Sequence, residues 1–223
     1  MTRYFVGITG ASGHAYAEAL IRALAAAGHD VDLSITEAGA KVLRHELGVD
    51  PGERGERLGE ALEGWLGGAA RRVRAFASGA IEAPPSSGTA KGGGAILCPC
   101  SMGTLARVAA GFSSNLVERV GDVALKEGRT LILVTRETPL SAIHLENMLR
   151  LARLGAVILP ASPGFYHRPE RVEDLVHHVV GKVLDRLGVE HELSRRWKGT
   201  DVAAEDPGTR GPPRGDPLED LGP

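Results

Sequence analysis

Short apolar runs alternate with amphipathic segments along most of the chain. The first run, Phe5 to Ile8, ends in glycines, and an alanine-rich segment with helical spacing follows it. The same order recurs and predicts strands at residues 5–8, 31–35, 73–76, 95–100, 130–135 and 156–160. The predicted helices cover residues 14–27, 38–47, 56–66, 105–109, 115–127, 142–154 and 172–187. This alternation indicates a single three-layer α/β domain, with a mostly parallel sheet flanked by helices.

Composition and charge narrow the class of protein. With 223 residues and 43% hydrophobic content, the chain can build one sizeable core. A net charge of -2 and the lack of a dense Lys/Arg run argue against a nucleic-acid surface. No apolar run reaches about 18 residues and no leader-like segment precedes the first strand, so we expect a cytoplasmic protein without a membrane span.

The end of the chain differs from the rest. Residues 201–223 contain five prolines, four glycines and six acidic residues, and they show almost no apolar periodicity. Such a composition cannot bury enough apolar surface to form a core, and it predicts a disordered C-terminal tail. The folded domain is therefore expected to cover residues 1–200.

The turn after the first strand, Thr9-Gly-Ala-Ser-Gly13, predicts an anion site. A helix start leaves backbone N–H groups unpaired, glycines let a phosphate approach the backbone, and Ser12 adds a hydroxyl. The G-x-x-G-x-x-G spacing does not match the dinucleotide fingerprint G-x-G-x-x-G, and no Lys-Ser/Thr pair follows as in a P-loop. The spacing favours a mononucleotide or flavin phosphate, with an ordinary strand-to-helix connection as the alternative.

Three further strand ends carry polar side chains. The second strand ends at Thr36, whose hydroxyl suits a phosphate. Glu37 follows directly, so the alternative that an acidic residue here binds a ribose hydroxyl remains open. The fourth strand runs into Ser101-Met-Gly-Thr104, and the fifth runs into Arg136 and Glu137. Because ligands of open α/β sheets bind at the carboxyl edge, we expect these residues to form one site.

Two helices add charged candidates. Glu46 stands near the C-terminal end of its predicted helix, where the dipole would tend to raise the pKa of a carboxylate. That would suit a proton acceptor, and a solvated surface glutamate is the alternative. Arg119, Asp122 and Lys126 share one helix face. They form either an Asp122–Lys126 surface ion pair or a pair of cations that point at an anion.

Seven motifs together resemble the bacterial flavin prenyltransferases of the UbiX type. They are Thr9-Gly-Ala-Ser-Gly13, Cys98-Pro-Cys-Ser-Met-Gly-Thr104, Asn115-Leu-Val-Glu-Arg119, Asp122-Val-Ala-Leu-Lys-Glu127, Arg136-Glu-Thr-Pro139, His144-Leu-Glu-Asn-Met148 and Pro163-Gly-Phe-Tyr-His167. The similarity extends from Val6 to Trp197. This family belongs to the flavin-binding Rossmann-like proteins, a group that includes cysteine decarboxylases, and the resemblance implies a Rossmann-like fold.

The resemblance also implies an activity. Members of the family transfer a dimethylallyl group, without a metal, from dimethylallyl phosphate to N5 and C6 of reduced FMN. The product, prenylated FMN, serves a decarboxylase of the UbiD type. The family further implies a homo-oligomer, a dodecamer whose sites are shared between subunits.

By the same resemblance, nine residues would bind FMN: Gly10, Ala11, Ser12, Thr36, Ser101, Met102, Gly103, Thr104 and Arg136. The substrate phosphate would be held by Lys126, Tyr166 and Lys182, with Arg119 and Arg136 nearby. Glu137 and Glu46 would handle protons, and Trp197 would form an aromatic wall. The chain departs from many relatives at Lys182, where they carry arginine, and from some at Ile81, where they carry tryptophan.

Two other functions remain open from the sequence. One is an FMN-dependent decarboxylase that acts on a cysteinyl C-terminus, and the other is a non-catalytic flavin carrier. The cationic residues favour a phosphorylated donor over a carboxylate and a thiol. Glu137, next to the expected phosphate-binding residues, argues against a carrier, because storage alone needs no such group.

Overall fold

The computed structural model describes residues 1–193, so Trp197 and the predicted tail lie outside the described part of the chain. The strands are β1 Arg3–Ile8, β2 Asp30–Ile35, β3 Val73–Phe76, β4 Gly94–Cys100, β5 Leu131–Thr135 and β6 Val157–Pro160. The α-helices are α1 His14–Ala26, α2 Glu37–Leu47, α3 Leu58–Leu66, α4 Met102–Ala109, α5 Leu116–Lys126, α6 Ala142–Arg153 and α7 Val172–Leu187. Short 3-10 turns cover Gly67–Arg72 and Pro84–Ser86.

The strands form one six-stranded sheet in the order β3-β2-β1-β4-β5-β6. Every neighbouring pair is parallel, and β1 lies between β2 and β4. The predicted three-layer α/β class is therefore confirmed. The strand order reverses between β1 and β4, and at such a point the connections diverge to opposite faces and open a crevice at the carboxyl edge.

Both faces of the sheet are buried, which is why the strands appear in the sequence as continuous apolar runs. Side chains along β1 alternate: Val6 and Ile8 pack in one core cluster and Phe5 packs in the other. Cys98 and Cys100 are free, buried thiols that also belong to different clusters. They fill space in the core, as expected for small buried side chains.

Helix α6 is the exception to this burial. Its only fully covered large side chain is Leu151, whereas Ile143, Leu145 and Leu149 are 67%, 52% and 51% exposed. These three apolar side chains thus lie largely on the outside of the chain. Separately, among residues 1–193 no helix has the length and apolar character needed to cross a membrane.

Candidate active site

A buried threonine joins the turns that follow β1 and β4. The Thr9 hydroxyl donates to the Pro99 carbonyl at 2.8 Å and accepts from the Ser101 backbone N–H at 2.8 Å. These bonds connect the two strands on either side of the crevice, so the two turns form one surface. Sequence analysis assigned no role to Thr9, although a threonine directly after a buried strand could have been recognised as a candidate.

The β4 turn leads directly into α4. The Ser101 hydroxyl caps the helix by accepting from the Thr104 N–H at 3.3 Å. Gly103 is exposed, and the nearest atom to a Cβ added there would be the Arg107 side chain at 3.5 Å. Packing within the chain therefore does not require glycine at this position. A glycine here suits the close approach of a ligand to the helix start.

Arg136 extends the same surface to the end of β5. Its backbone N–H donates to the Cys100 carbonyl at 3.3 Å, and its Nε donates to the Ser12 carbonyl at 3.3 Å. Glu137 follows, exposed, with a carboxylate oxygen that accepts from the Thr138 N–H at 3.2 Å. The expectation that the ends of β1, β4 and β5 meet at one edge is thus confirmed by direct contacts.

Helix α2 closes one side of this surface. Thr36 caps the helix by accepting from the Gly39 N–H at 3.1 Å, and its hydroxyl retains a proton to donate. A Cβ at Gly10 would lie 2.6 Å from the Ala38 Cβ. Glycine is therefore needed at position 10 for packing against α2, whatever it contributes to ligand binding.

The start of α1 differs from the expected open anion site. The N–H groups of Gly13 and His14 both donate to the Glu46 carboxylate, at 3.0 and 2.9 Å. Gly13 adopts a left-handed conformation with φ of 107°, which glycine tolerates without strain. The prediction that these helix-start donors are free for a phosphate is wrong, because a side chain 33 residues away in sequence already occupies them.

The pKa of Glu46 also shifts in the direction opposite to the prediction. Burial works to raise the pKa of Glu46, but hydrogen bonds from the Ser12 hydroxyl and from the His14 and Gly13 N–H groups outweigh it and lower the pKa. The expected increase from the α2 dipole is therefore wrong: the donors of a different helix decide the balance. A carboxylate held charged in this way is a weak proton acceptor at neutral pH.

Lys126, at the end of α5, lies away from the turn surface. Arg119 pairs with Asp122 at 3.1 Å and Lys126 contacts Glu127, instead of the Asp122–Lys126 pair that was one of the two alternatives. Helix α5 runs antiparallel to the strands, and at 1.5 Å per residue Lys126 lies about 15 Å from the start of the helix. It neighbours Gly88, near the amino edge of the sheet. One chain does not bring Lys126 to the turns of β1 and β4.

Tyr166 and Lys182 belong to a third group, after β6. The Tyr166 ring, half exposed, stands edge-on to His167 and His178 with centroids 5.5 Å away, and the two histidines stack at 5.1 Å. Lys182 is exposed one helical turn beyond His178. Burial lowers the pKa of His178, and His167 and Lys182 lower it further. This ring cluster was not predicted from the sequence, because its three rings come from a loop and a helix that meet only in the folded chain.

The described residues offer neither a cluster of metal ligands nor a reactive thiol. Among residues 1–193, no group of three or more His, Cys, Asp or Glu side chains is placed to hold a metal ion. Burial raises the pKa of the Cys98 and Cys100 thiols, which keeps both protonated. Ile81, at the position of a family departure, is half exposed.

The carboxyl edge where the strand order reverses therefore brings together hydroxyl groups, a glycine-containing turn, a helix start and an arginine. These features define a Rossmann-like protein that binds a nucleotide or a related phosphate ligand. The Flavoprotein family profile matches residues 1–184. The chain belongs to the Flavoprotein family and, within it, to the UbiX flavin prenyltransferases.

Two curated relatives illustrate that membership. The flavin prenyltransferase UbiX of Halalkalibacterium halodurans is 48% identical over 194 residues, covering 87% of this chain and 92% of the relative. The UbiX of Methanothermobacter thermautotrophicus is 42% identical over 197 residues, covering 88% and 96%. Because the second organism is an archaeon, the family is wider than the bacterial enzymes named in the sequence-based resemblance.

Solved structures agree with this assignment. AnUbiX (PadA1), in complex with FMN and dimethylallyl pyrophosphate, has a TM-score of 0.79 and 36% identity, covering 89% of this chain and 98% of AnUbiX. A dodecameric FMN-dependent UbiX-like decarboxylase from Escherichia coli O157:H7 has a TM-score of 0.76 and 40% identity, covering 88% and 100%. The cysteine decarboxylase TvaF, at 14% identity and a TM-score of 0.58 over 85% of this chain and 99% of TvaF, shares the fold alone.

Proposed function

We propose that this chain is a metal-independent flavin prenyltransferase. It transfers a dimethylallyl group from dimethylallyl phosphate to N5 and C6 of reduced FMN and yields prenylated FMN. The single observation that carries the proposal is the joined turn surface, where Thr9 links the β1 and β4 turns and Arg136 links β5 to Ser12. The ligands of AnUbiX, FMN and dimethylallyl pyrophosphate, support the same acceptor and the same class of donor.

The turn surface has the chemistry that FMN requires. Its phosphate needs hydroxyl and guanidinium donors: the Thr36 hydroxyl retains its proton to donate, and Arg136 supplies the guanidinium. The flat flavin ring needs close approach to the backbone, which Gly103 permits. We assign FMN binding to the nine residues named from the resemblance: Gly10, Ala11, Ser12, Thr36, Ser101, Met102, Gly103, Thr104 and Arg136.

The donor phosphate is assigned to the cations and the tyrosine. Cleavage of an allylic phosphate builds negative charge on the leaving group, so groups that bind that charge in place lower the barrier. Lys126, Lys182 and Tyr166 take this role, with Arg119 and Arg136 beside them. Each lysine presents an exposed ammonium, and the aromatic side of Tyr166 suits the isoprenoid carbon chain.

Proton transfer is assigned chiefly to Glu137. Bond formation at a ring carbon requires the loss of a ring proton to a nearby base. The Glu137 carboxylate is exposed at the end of β5, next to Arg136, where the reacting ring would lie. Glu46 keeps the proton-handling role that the resemblance implies, although its lowered pKa favours an electrostatic contribution. Trp197 remains the proposed aromatic wall.

We further propose that the complete site forms only in a homo-oligomer, a dodecamer. Lys126 and the turn surface lie at opposite edges of the sheet in one chain, so the cation from one copy must meet the flavin turn of another. The apolar side chains exposed on α6 supply a surface for such packing. The E. coli O157:H7 neighbour is dodecameric, which supports this arrangement. A UbiD-type decarboxylase in the cytoplasm would receive the product, and residues 1–200 would form the domain.

Mass spectrometry of the flavin tests the proposed function. The purified protein is incubated without oxygen with reduced FMN and either dimethylallyl phosphate or dimethylallyl diphosphate, and the flavin is then extracted. The proposal predicts a flavin heavier by one five-carbon isoprene unit with at least one donor. Unmodified flavin with both donors, in a protein that binds FMN, would contradict it.

A Glu137→Gln variant separates an enzyme from a flavin carrier. The amide keeps the size of the side chain and removes the base. We expect unchanged FMN affinity and loss of the heavier flavin. If the variant converts FMN at the wild-type rate, Glu137 has no part in the chemistry and the assignment of the base is wrong.

A further inference from the structure

His14, the first residue of α1, has a setting that the assigned functions leave unexplained. Its side chain is fully buried, and neither ring nitrogen makes a hydrogen bond within the described residues. A buried polar side chain without a partner is costly and calls for a physical reason. The nearest charged group is the Glu46 carboxylate, whose Oε2 lies 3.4 Å from His14 Nδ1.

We propose that His14 is a positioning residue that holds Glu46 on the start of α1 through an Nδ1–H group aimed at its carboxylate. This inference rests on the proposed function in one respect, that the Gly10–Gly13 turn binds FMN. His14 reaches Glu46 twice, since its backbone N–H already donates to Oε2 at 2.9 Å. The ring would add a donor to the two backbone donors that fix the carboxylate.

Glu46 in turn fixes the shape of the flavin turn. Its carboxylate receives the Gly13 N–H and also binds the Ser12 hydroxyl. The Ser12 carbonyl receives Nε of Arg136. A shift of Glu46 would therefore displace the turn and the arginine together. In this way a residue with no direct contact to the ligand would influence FMN binding.

Burial favours the neutral form of the His14 ring, in which one nitrogen carries the proton. Burial lowers the pKa of His14, against the opposing effects of Glu46 and the Gly39 carbonyl. Other titratable groups nearby are neutral, because burial raises the pKa of Tyr16 on α1 and of Cys98 on β4. On the side of α1 that faces α7, the charged groups line a separate groove with His177.

Two substitutions of similar size distinguish donation from space filling. His14→Asn keeps an N–H donor near the Nδ1 position, whereas His14→Leu removes it. Leucine is a better helix former than asparagine, so helix propensity alone would favour His14→Leu. The expected order of FMN affinities is the opposite. His45→Leu on α2, which changes an exposed histidine beside Glu46, is the matched control.

The first readout is FMN affinity, measured by flavin fluorescence. We expect the dissociation constant to rise about tenfold in His14→Leu, the effect of one hydrogen bond to a charged group, and to stay within about twofold of wild type in His14→Asn and His45→Leu. The double variant His14→Leu/Glu46→Gln should bind no worse than Glu46→Gln alone. Additive losses, or equal losses in the Asn and Leu variants, would overturn the proposal.

The second readout uses the wild-type protein, so it does not depend on whether the variants fold. Nitrogen-15 NMR of histidine-labelled protein identifies which ring nitrogen carries the proton. The proposal predicts the Nδ1–H tautomer for His14 at neutral pH, and the Nε2–H tautomer would refute it. Neither readout requires prenyl transfer, so a failure of the proposed activity and a failure of this inference are separate results.

Discussion

Replacing Thr9 with valine tests whether one hydroxyl joins the two halves of the flavin surface. Valine has nearly the shape of threonine, so the core packing around position 9 stays the same. The change removes the donor to the Pro99 carbonyl and the acceptor of the Ser101 N–H, both at 2.8 Å. It leaves the Ser101 N–H without this acceptor, whereas the Pro99 carbonyl still accepts from the Thr9 backbone N–H at 3.3 Å.

The expected loss of stability follows from the two hydrogen bonds that the hydroxyl makes. An intramolecular hydrogen bond contributes about 0.5–1.5 kcal/mol, and a buried group left without a partner costs about 1–3 kcal/mol. Ser101 is only partly buried, so water can replace part of its bond. We therefore expect Thr9→Val to lower the free energy of unfolding by about 1–3 kcal/mol. Thr9→Ser, which keeps the hydroxyl and loses a methyl group, should cost about 1 kcal/mol.

Urea unfolding at a fixed protein concentration measures this cost, and FMN titration measures its functional effect. Fixed concentration matters because assembly adds to the apparent stability. If the two turns act as one surface, FMN affinity should fall about tenfold in Thr9→Val and change little in Thr9→Ser. A valine variant with wild-type stability and FMN affinity would refute the argument that Thr9 joins the turns.

Three further outcomes follow from the described contacts. Burial works to raise the pKa of Glu118, but hydrogen bonds led by Ser114 outweigh it and hold the pKa below the ordinary glutamate value, so the stability from the charged form is lost as the pH falls through that lowered pKa. Acid unfolding followed by circular dichroism should be less steep in Glu118→Gln. Gly7→Ala would place a Cβ 2.7 Å from the Leu97 side chain and should cost about 1–3 kcal/mol in urea unfolding. Leu149→Glu, on the exposed face of α6, should reduce the oligomer mass in light scattering while FMN-free monomers stay folded.

Most of the local structure could be predicted from the sequence. Strand and helix positions follow from apolar spacing and turn residues, and the buried run before Arg136 located β5 and the candidate site at its end. The common edge of β1, β4 and β5 followed from the parallel order of the strands. These features depend on short stretches of chain and on general rules of sheet topology.

Contacts between distant segments could not be predicted in the same way. The Glu46 carboxylate reaches the start of α1 because α2 packs beside it, and no local pattern encodes that contact or its effect on the pKa. The helix at residues 142–154 was predicted, but the sequence did not show that the rest of the chain leaves its apolar side chains exposed. Ion pairs of Lys126 likewise depend on side-chain geometry at the end of α5.

If a flavin turn from one copy and Lys126 from another form each site, two defective copies can complement each other. Two variants, Arg136→Ala and Lys126→Ala, test this when they are purified alone and as a co-expressed mixture. We expect each variant alone to be inactive in the prenylated-flavin assay. Random mixed oligomers should recover about one quarter of wild-type activity, because that share of sites pairs an intact arginine with an intact lysine. Mixed oligomers as inactive as either variant would refute shared sites and place both residues of each site in one chain.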